Sequence, residues 1–423
     1  MSLILTSESD VRKLIEKVEN IDTGLKISHI EIKPRIAFSL SGLSLILVGF
    51  FLESTLLPQV LSAFLAFVTP LKVSGSALVL ISLLLKRKYS SLYIFASAFF
   101  LVTAIIVKQN SSTNLLFVML LIIGAESIDF DQICKIYLFL DLLLTILTIF
   151  LCFQGIIPNL TYNRDGILRQ SLGFIYPTDF AAHLTYMYLA FCYLRRHHYR
   201  WFDATIGILL AFFQERVCNA RLDMSLVLLS VLLFLLASKS LTSKNLRFWN
   251  VITSSFSKAL FIALPLAYIF TFLLSKWYLS GNNIVDQINS FLSNRVSLVA
   301  EGMQRYPITM FGQVVESSGL GGLLGQSLDR NLYGYFMLDS SYAICVINFG
   351  LVMTGVSLFI FWKIIRNASR GNLHLLIIIA ILIIHFFVAQ FMLNPSYNVF
   401  LLACFSEVAN DRGKLKKSEA ELV

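Results

Sequence analysis

Apolar residues fall in long runs of roughly 17 to 22, the length a helix needs to cross about 30 Å of hydrocarbon. The runs predict twelve membrane spans, near 36–52, 61–85, 90–107, 114–125, 134–154, 177–194, 202–216, 223–237, 256–274, 341–362, 373–390 and 397–408. The period-two alternation of a membrane β-barrel is almost absent. The second run contains Pro70, Lys72 and Gly75, which predicts a kinked or partly re-entrant span. The expected fold is therefore an all-α polytopic membrane protein, about 12 transmembrane helices over 36–408, with one long extracytoplasmic loop.

Composition agrees. The 423 residues are 57% hydrophobic and only 14% charged, against about 25% charged in a soluble chain. The formal charge of +9 is explained by topology and predicts no nucleic acid partner. With the N-terminus inside, cytoplasmic segments hold 23 Lys and Arg and outer segments hold 9. That bias places both termini in the cytoplasm. Residues 1–35 read as a polar cytoplasmic segment rather than a cleaved signal, and 409–423 as a charged cytoplasmic tail. The cysteines lie in or beside apolar runs, with no metal-ligand spacing; neither a metal nor a cofactor is expected.

This orientation exposes two outer loops, about 155–176 and the much longer 275–340. Long connections in a compact bundle usually carry function. Within the second, Ile284, Ile288, Phe291, Leu292, Val296, Val299 and Met303 recur at helical spacing, which predicts one amphipathic helix. Gly319, Gly321, Gly322 and Gly325 predict a flexible stretch after it.

Outer arginines run against the topological bias, so each needs its own account. Arg164 and Arg169 lie in the shorter loop, Arg216 and Arg221 in a tight turn, and Arg295 and Arg305 in the long loop. A guanidinium presents a planar fork to phosphate oxygens and stays charged. Near a membrane surface it suits a lipid-linked diphosphate, whose departure leaves negative charge to stabilise. The ordinary competitor is an arginine reaching lipid headgroups, or, for Arg221, a salt bridge to Glu215 or Asp223. His183 is a candidate general base, against a plain hydrogen bond within the bundle. His385, inside an apolar run, invites the same two readings. Asp339 and Tyr342 close the long loop in Leu338-Asp-Ser-Ser-Tyr342, where Asp339 also reads as a helix N-cap. No Walker A run and no His-Glu-x-x-His is present, and Asp129-Phe-Asp131 is a weak metal signal.

The order of these elements resembles the Wzy-type bacterial polysaccharide polymerases and, more distantly, the O-antigen ligases. Arg169-Gln-Ser-Leu-Gly-Phe-Ile-Tyr-Pro177 is similar to that family's Arg-x-Ser-Leu-Gly-Phe-x-His-Pro-Asn, with Tyr176 for its His and Thr178 for its Asn. Leu292-Ser-Asn-Arg295 resembles its Leu-Ser-Gly-Arg, with Asn294 for Gly, and Thr309-Met-Phe-Gly-Gln313 also looks like a family loop element. The resemblance implies a GT-C-like fold and metal-independent glycosyl transfer between undecaprenyl-diphosphate-linked oligosaccharides at the outer face of the bacterial plasma membrane. By position it implies Arg169, Arg221 and Arg295 as catalytic residues; His183, read from the sequence alone, is added to them as the candidate base. Arg164, Arg216, Arg305, Asp339 and Tyr342 are then expected to bind substrate. Expected partners are the lipid bilayer, the lipid-linked oligosaccharide, a chain-length regulator and a flippase. Rival readings are a flippase for the same lipid, or a glycosyltransferase or ligase with another acceptor.

Overall fold

The computed structural model describes residues 34–85, 91–126, 128–164, 166–242, 246–327 and 334–410; the expected N-terminal segment before 34, the tail after 410 and Arg330 lie outside them. The chain is mostly helical: α1 (Pro34–Glu53), α2 (Ser62–Leu84), α3 (Ser91–Asn110), α4 (Asn114–Gly124) and α5 (Phe130–Phe153) come first. A hairpin follows, β1 (Thr161–Arg164) and β2 (Ile167–Gln170), paired antiparallel. Then come α6 (Pro177–Arg195), α7 (Trp201–Phe213), α8 (Arg221–Thr242) and α9 (Leu246–Leu279), the short α10 (Asn283–Phe291) and α11 (Arg295–Arg305), and finally α12 (Gly350–Ala368) and α13 (Leu373–His385).

Among the described residues, six helices are long and apolar enough to cross a membrane: α1, α2, α5, α12 and the apolar stretches of α8 and α9. This is the architecture of an α-helical membrane protein. Its side chains are sorted as a membrane demands. On α5, Phe139, Leu143, Ile146, Phe150 and Phe153 are exposed, while Tyr137, Asp141, Thr145 and Thr148 are buried. The buried four recur at intervals of three and four, one face of a helix. Apolar outside and polar inside fits a lipid surround, where a lone carboxylate facing hydrocarbon is expensive. Helices α6 and α13 are buried on nearly every side and form the centre of the bundle.

Several predicted spans change on inspection. The stretch around Pro70 is continuous helix, not re-entrant. Gly42 of α1 and Gly75 of α2 let the two backbones touch, since a Cβ on Gly42 would lie 2.5 Å from the Gly75 carbonyl. Lys72 is buried because its ammonium donates to Glu53 and, at 2.6 Å, to Asn114 Oδ1. The run 397–408 is no span: only Val399–Cys404 is helical, as a six-residue 3-10 turn sealed in the core. The run 373–390 is helical only to His385. Beyond it the backbone unwinds, and the freed carbonyls of Phe386, Val388 and Ala389 accept from Ser341 and Arg295. Irregular backbone at such depth persists where protein groups satisfy it.

The predicted amphipathic helix is two helices. Ser293 and Asn294 break it with φ of 57° and 64°, a conformation that asparagine tolerates better than most residues. Asn289 stitches the break, accepting from Ser297 N at 2.9 Å. The glycine stretch is not free either: Gly322 N donates to Ile175 O at 2.9 Å, so the long connection folds back onto the hairpin. Tyr162 of β1 ties the same contact, donating to Ile175 O and Leu320 O.

Candidate functional site

Two loops and two helix ends meet where α6 begins. Tyr176 precedes that helix with extended backbone, and Pro177 opens it, a position where the missing N–H costs nothing. Arg169 comes off β2 and reaches this end. Its Nε donates to Cys218 O at 2.7 Å, and Nη1 lies 3.5 Å from the Tyr176 hydroxyl. The guanidinium also sits over the Tyr176 ring, 5.3 Å from its centre. Arg169 is 4% exposed, yet its Nη2 has no hydrogen-bond partner among the described residues. A buried charged donor left open is costly, so this nitrogen is poised for an acceptor.

Arg295 opens α11. Its Nε donates to Val388 O at 2.6 Å in the unwound segment, and its Nη2 lies 3.6 Å from Asp339 Oδ2. Burial pushes the Asp339 carboxyl above its ordinary range, and the Arg295 charge pulls it partly back. Asp179, in the first turn of α6, feels the charges of both Asp339 and Asp223. Arg169 is thus held at the start of α6 through Tyr176, and Arg295 is linked to that region through Asp339.

Asp223, from α8, points into the bundle. It accepts from Thr185 Oγ1 at 3.0 Å and lies 3.4 Å from His385 Nε2. His385 Nδ1 lies 3.1 Å from the Tyr186 hydroxyl. Asp223 thus makes no pair with Arg221. Successive helical residues turn by about 100°, so Arg221 and Asp223 face nearly opposite ways. Arg221 is exposed, with no hydrogen bond or ion pair to its guanidinium among the described residues. The resemblance implied three arginines acting together; the structure holds Arg169 at the α6 terminus and Arg295 against Asp339, and leaves Arg221 exposed.

The remaining expected residues scatter. Arg164 donates to Ser293, joining the hairpin to the break between α10 and α11. Arg216 is exposed on the π-helical turn Gln214–Cys218. Arg305 pairs with Glu301 one turn back and stacks on Phe336, 4.6 Å from the ring centre. Tyr342 is sealed in the core, donating to Ile383 O at 2.8 Å, and has no face left for substrate. His183 is also fully buried. Its Nδ1 lies 3.0 Å from Asp141 Oδ1, its Nε2 2.8 Å from Ser54 Oγ, and Tyr397 covers its ring at 4.0 Å. Asp129 caps α5 and Asp131 pairs with buried Arg196 at 3.0 Å, so the Asp-Phe-Asp run is structural.

Asp179 and Asp141 carried no motif, yet one signal pointed to Asp141: a carboxylate inside a 24-residue apolar helix must be paired. Neither a protein family, nor a curated protein, nor a solved structure matches this chain.

Proposed function

We propose that this chain is a membrane-embedded, metal-independent glycosyltransferase of the Wzy-type polymerase class, joining lipid-diphosphate-linked oligosaccharide units at the outer membrane face. The observation that carries the reading is that Arg169 meets the start of α6 through Tyr176, while Arg295 pairs with Asp339, whose charge acts on Asp179 of the same helix start.

Each part has a chemical use. A helix N-terminus carries partial positive charge and open N–H groups, and it binds anions. The open Nη2 of Arg169 and the fork of Arg295 supply charged donors to a departing diphosphate. Such donors act on charge that develops in the transition state, and removing one commonly costs about a hundredfold in rate. The carboxylates suit sugar hydroxyls, which are donors. The two loops that carry the arginines are tied together by Arg164 with Ser293 and by Gly322 with Ile175, so the donors are held before substrate arrives.

The test is reconstitution of the purified chain in vesicles with lipid-linked repeat units. The expected product is a ladder of lengthening glycans on the lipid carrier. Movement of the lipid across the bilayer without elongation would instead identify a flippase.

A further inference from the structure

This inference rests on the glycosyl-transfer reading and deepens it. Joining two sugars requires a group that takes the proton of the incoming hydroxyl as its oxygen attacks the donor's anomeric carbon. That group must be reachable and not already tied up.

The two histidines of the region fail on both counts. His183 has Asp141 on one ring nitrogen and Ser54 on the other. His385 is held between Tyr186 and Asp223. Both are buried. Two of the three clustered carboxylates are likewise engaged: Asp339 with Arg295, and Asp223 with Thr185 and His385. A carboxylate paired with a cation is a weakened base.

Asp179 remains. It is half-buried, and among the described residues its carboxylate has neither hydrogen bond nor ion pair. It lies three residues after Tyr176, the contact of Arg169, and feels the charge of Asp339, the partner of Arg295. The groups that face it are Asp223 of α8, Asp339 of the long connection, Tyr162 of β1 and Tyr397 of the C-terminal segment.

We infer that Asp179 is the catalytic base of the transfer. One carboxylate oxygen takes the hydroxyl proton. The electron pair of the acceptor oxygen forms the new bond to the anomeric carbon. The bond from that carbon to the diphosphate oxygen breaks, and its electron pair leaves with the diphosphate, beside Arg169 and Arg295. Attack on one face and departure from the other inverts the configuration at that carbon.

The competing role for an acid in a first helical turn is pairing with the helix dipole. That role affects stability and leaves turnover alone, so the two are separable. The full chain is reconstituted with lipid-linked repeat units, and elongation rate, KM and thermal midpoint are measured for wild type, Asp179→Asn, Asp179→Glu and Arg366→Lys. Asp179→Asn is expected to lose about 100- to 10,000-fold in kcat, with KM and midpoint near wild type. Its residual rate should lose the acid-side fall that wild type shows. Asp179→Glu keeps the carboxylate but displaces it, and should fold and recover part of the rate. Arg366→Lys, in the last turn of α12, should elongate like wild type. Asp179→Asn elongating at the wild-type rate, or Asp179→Glu no faster than Asp179→Asn, overturns the assignment; if Asp179→Asn does not fold, Asp179→Ser replaces it, and a wild-type rate for that variant overturns the assignment. A wild-type chain that makes no ladder removes the glycosyl-transfer reading itself, and this assignment with it.

Discussion

His183 and Asp141 join the two central polar positions of α6 and α5, with Nδ1 3.0 Å from Oδ1 and exposures of 0% and 3%. On the far side of the ring, Ser54 Oγ lies 2.8 Å from Nε2 and donates its single proton to Phe51 O at 2.6 Å. Ser54 therefore accepts from Nε2 of the ring, while Nδ1 meets the Asp141 carboxyl. The arrangement is a buried hydrogen-bonded clamp between two helices, which accounts for its burial better than proton exchange with substrate.

Breaking one half of such a buried hydrogen-bonded pair leaves its partner unsatisfied and costs about 1–3 kcal/mol, whereas replacing both halves by apolar groups of the same shape can be nearly neutral. Asp141→Asn should therefore lower the thermal midpoint in detergent strongly. The double variant Asp141→Leu with His183→Phe should recover most of the loss. A double variant as unstable as the single one would show that the pair does more than clamp.

The arginines separate by geometry. Arg295→Lys keeps the charge but cannot serve Val388 O and an anion together, because an ammonium is a point donor. Elongation should fall about a hundredfold, with the midpoint little changed. Arg169→Lys should behave alike, since Nε and Nη2 have different duties. Arg221→Lys should elongate nearly as wild type, because its exposed guanidinium holds nothing. Equal losses at all three positions would mean that Arg221 swings into the site when substrate binds.

Much of this architecture was legible in the apolar runs, because a lipid-crossing helix declares itself by length. The exceptions have local causes. Residues 397–408 are apolar enough for a span, but Val399–Cys404 lies wholly inside the protein, and burial in protein and burial in lipid call for the same residue types. The end of α13 at His385 is set by Ser341 and Arg295 taking its carbonyls, partners more than 40 residues away in sequence. The arginines stood out individually because they oppose the charge bias. Which of them meet depended on helix phase: a shift of two residues separates outward Arg221 from inward Asp223. Asp179 was illegible because an acid in a first helical turn is commonplace.

Lys72, Glu53 and Asn114 form a second polar cluster, between α1, α2 and α4. Its two charges are unequal in environment, with side-chain exposures of 3% for Lys72 and 35% for Glu53. Lys72→Met leaves a carboxylate that water and Asn114 still serve, so its effect should be small. Glu53→Leu leaves a buried ammonium with only the Asn114 oxygen and two aromatic faces, those of Phe50 and Phe117, so it should be the harsher change. Thermal midpoints in detergent check the order, and the reverse order would contradict the burial described.

Asp339 gives the site a pH signature whose sign follows from its surroundings. Burial raises its carboxyl above the ordinary 3.8, and Arg295 offsets part of that rise. In the unfolded chain the group titrates near its ordinary value, so between the two values the folded state binds more protons. Stability from this group is thus fully present below the unfolded value and is lost as pH rises through the raised folded one. Asp339→Asn cannot ionise and escapes the loss. The midpoint of the variant minus that of wild type should therefore grow as pH climbs above 3.8, then level off once Asp339 is ionised in the folded state. The variant also strands Arg295, which shifts the whole difference by a constant but leaves its pH dependence intact. A difference that is flat across this window would place Asp339 in water rather than beside Arg295. A difference that shrinks would mean that the guanidinium outweighs burial, and that the pair is tighter than its 3.6 Å separation implies.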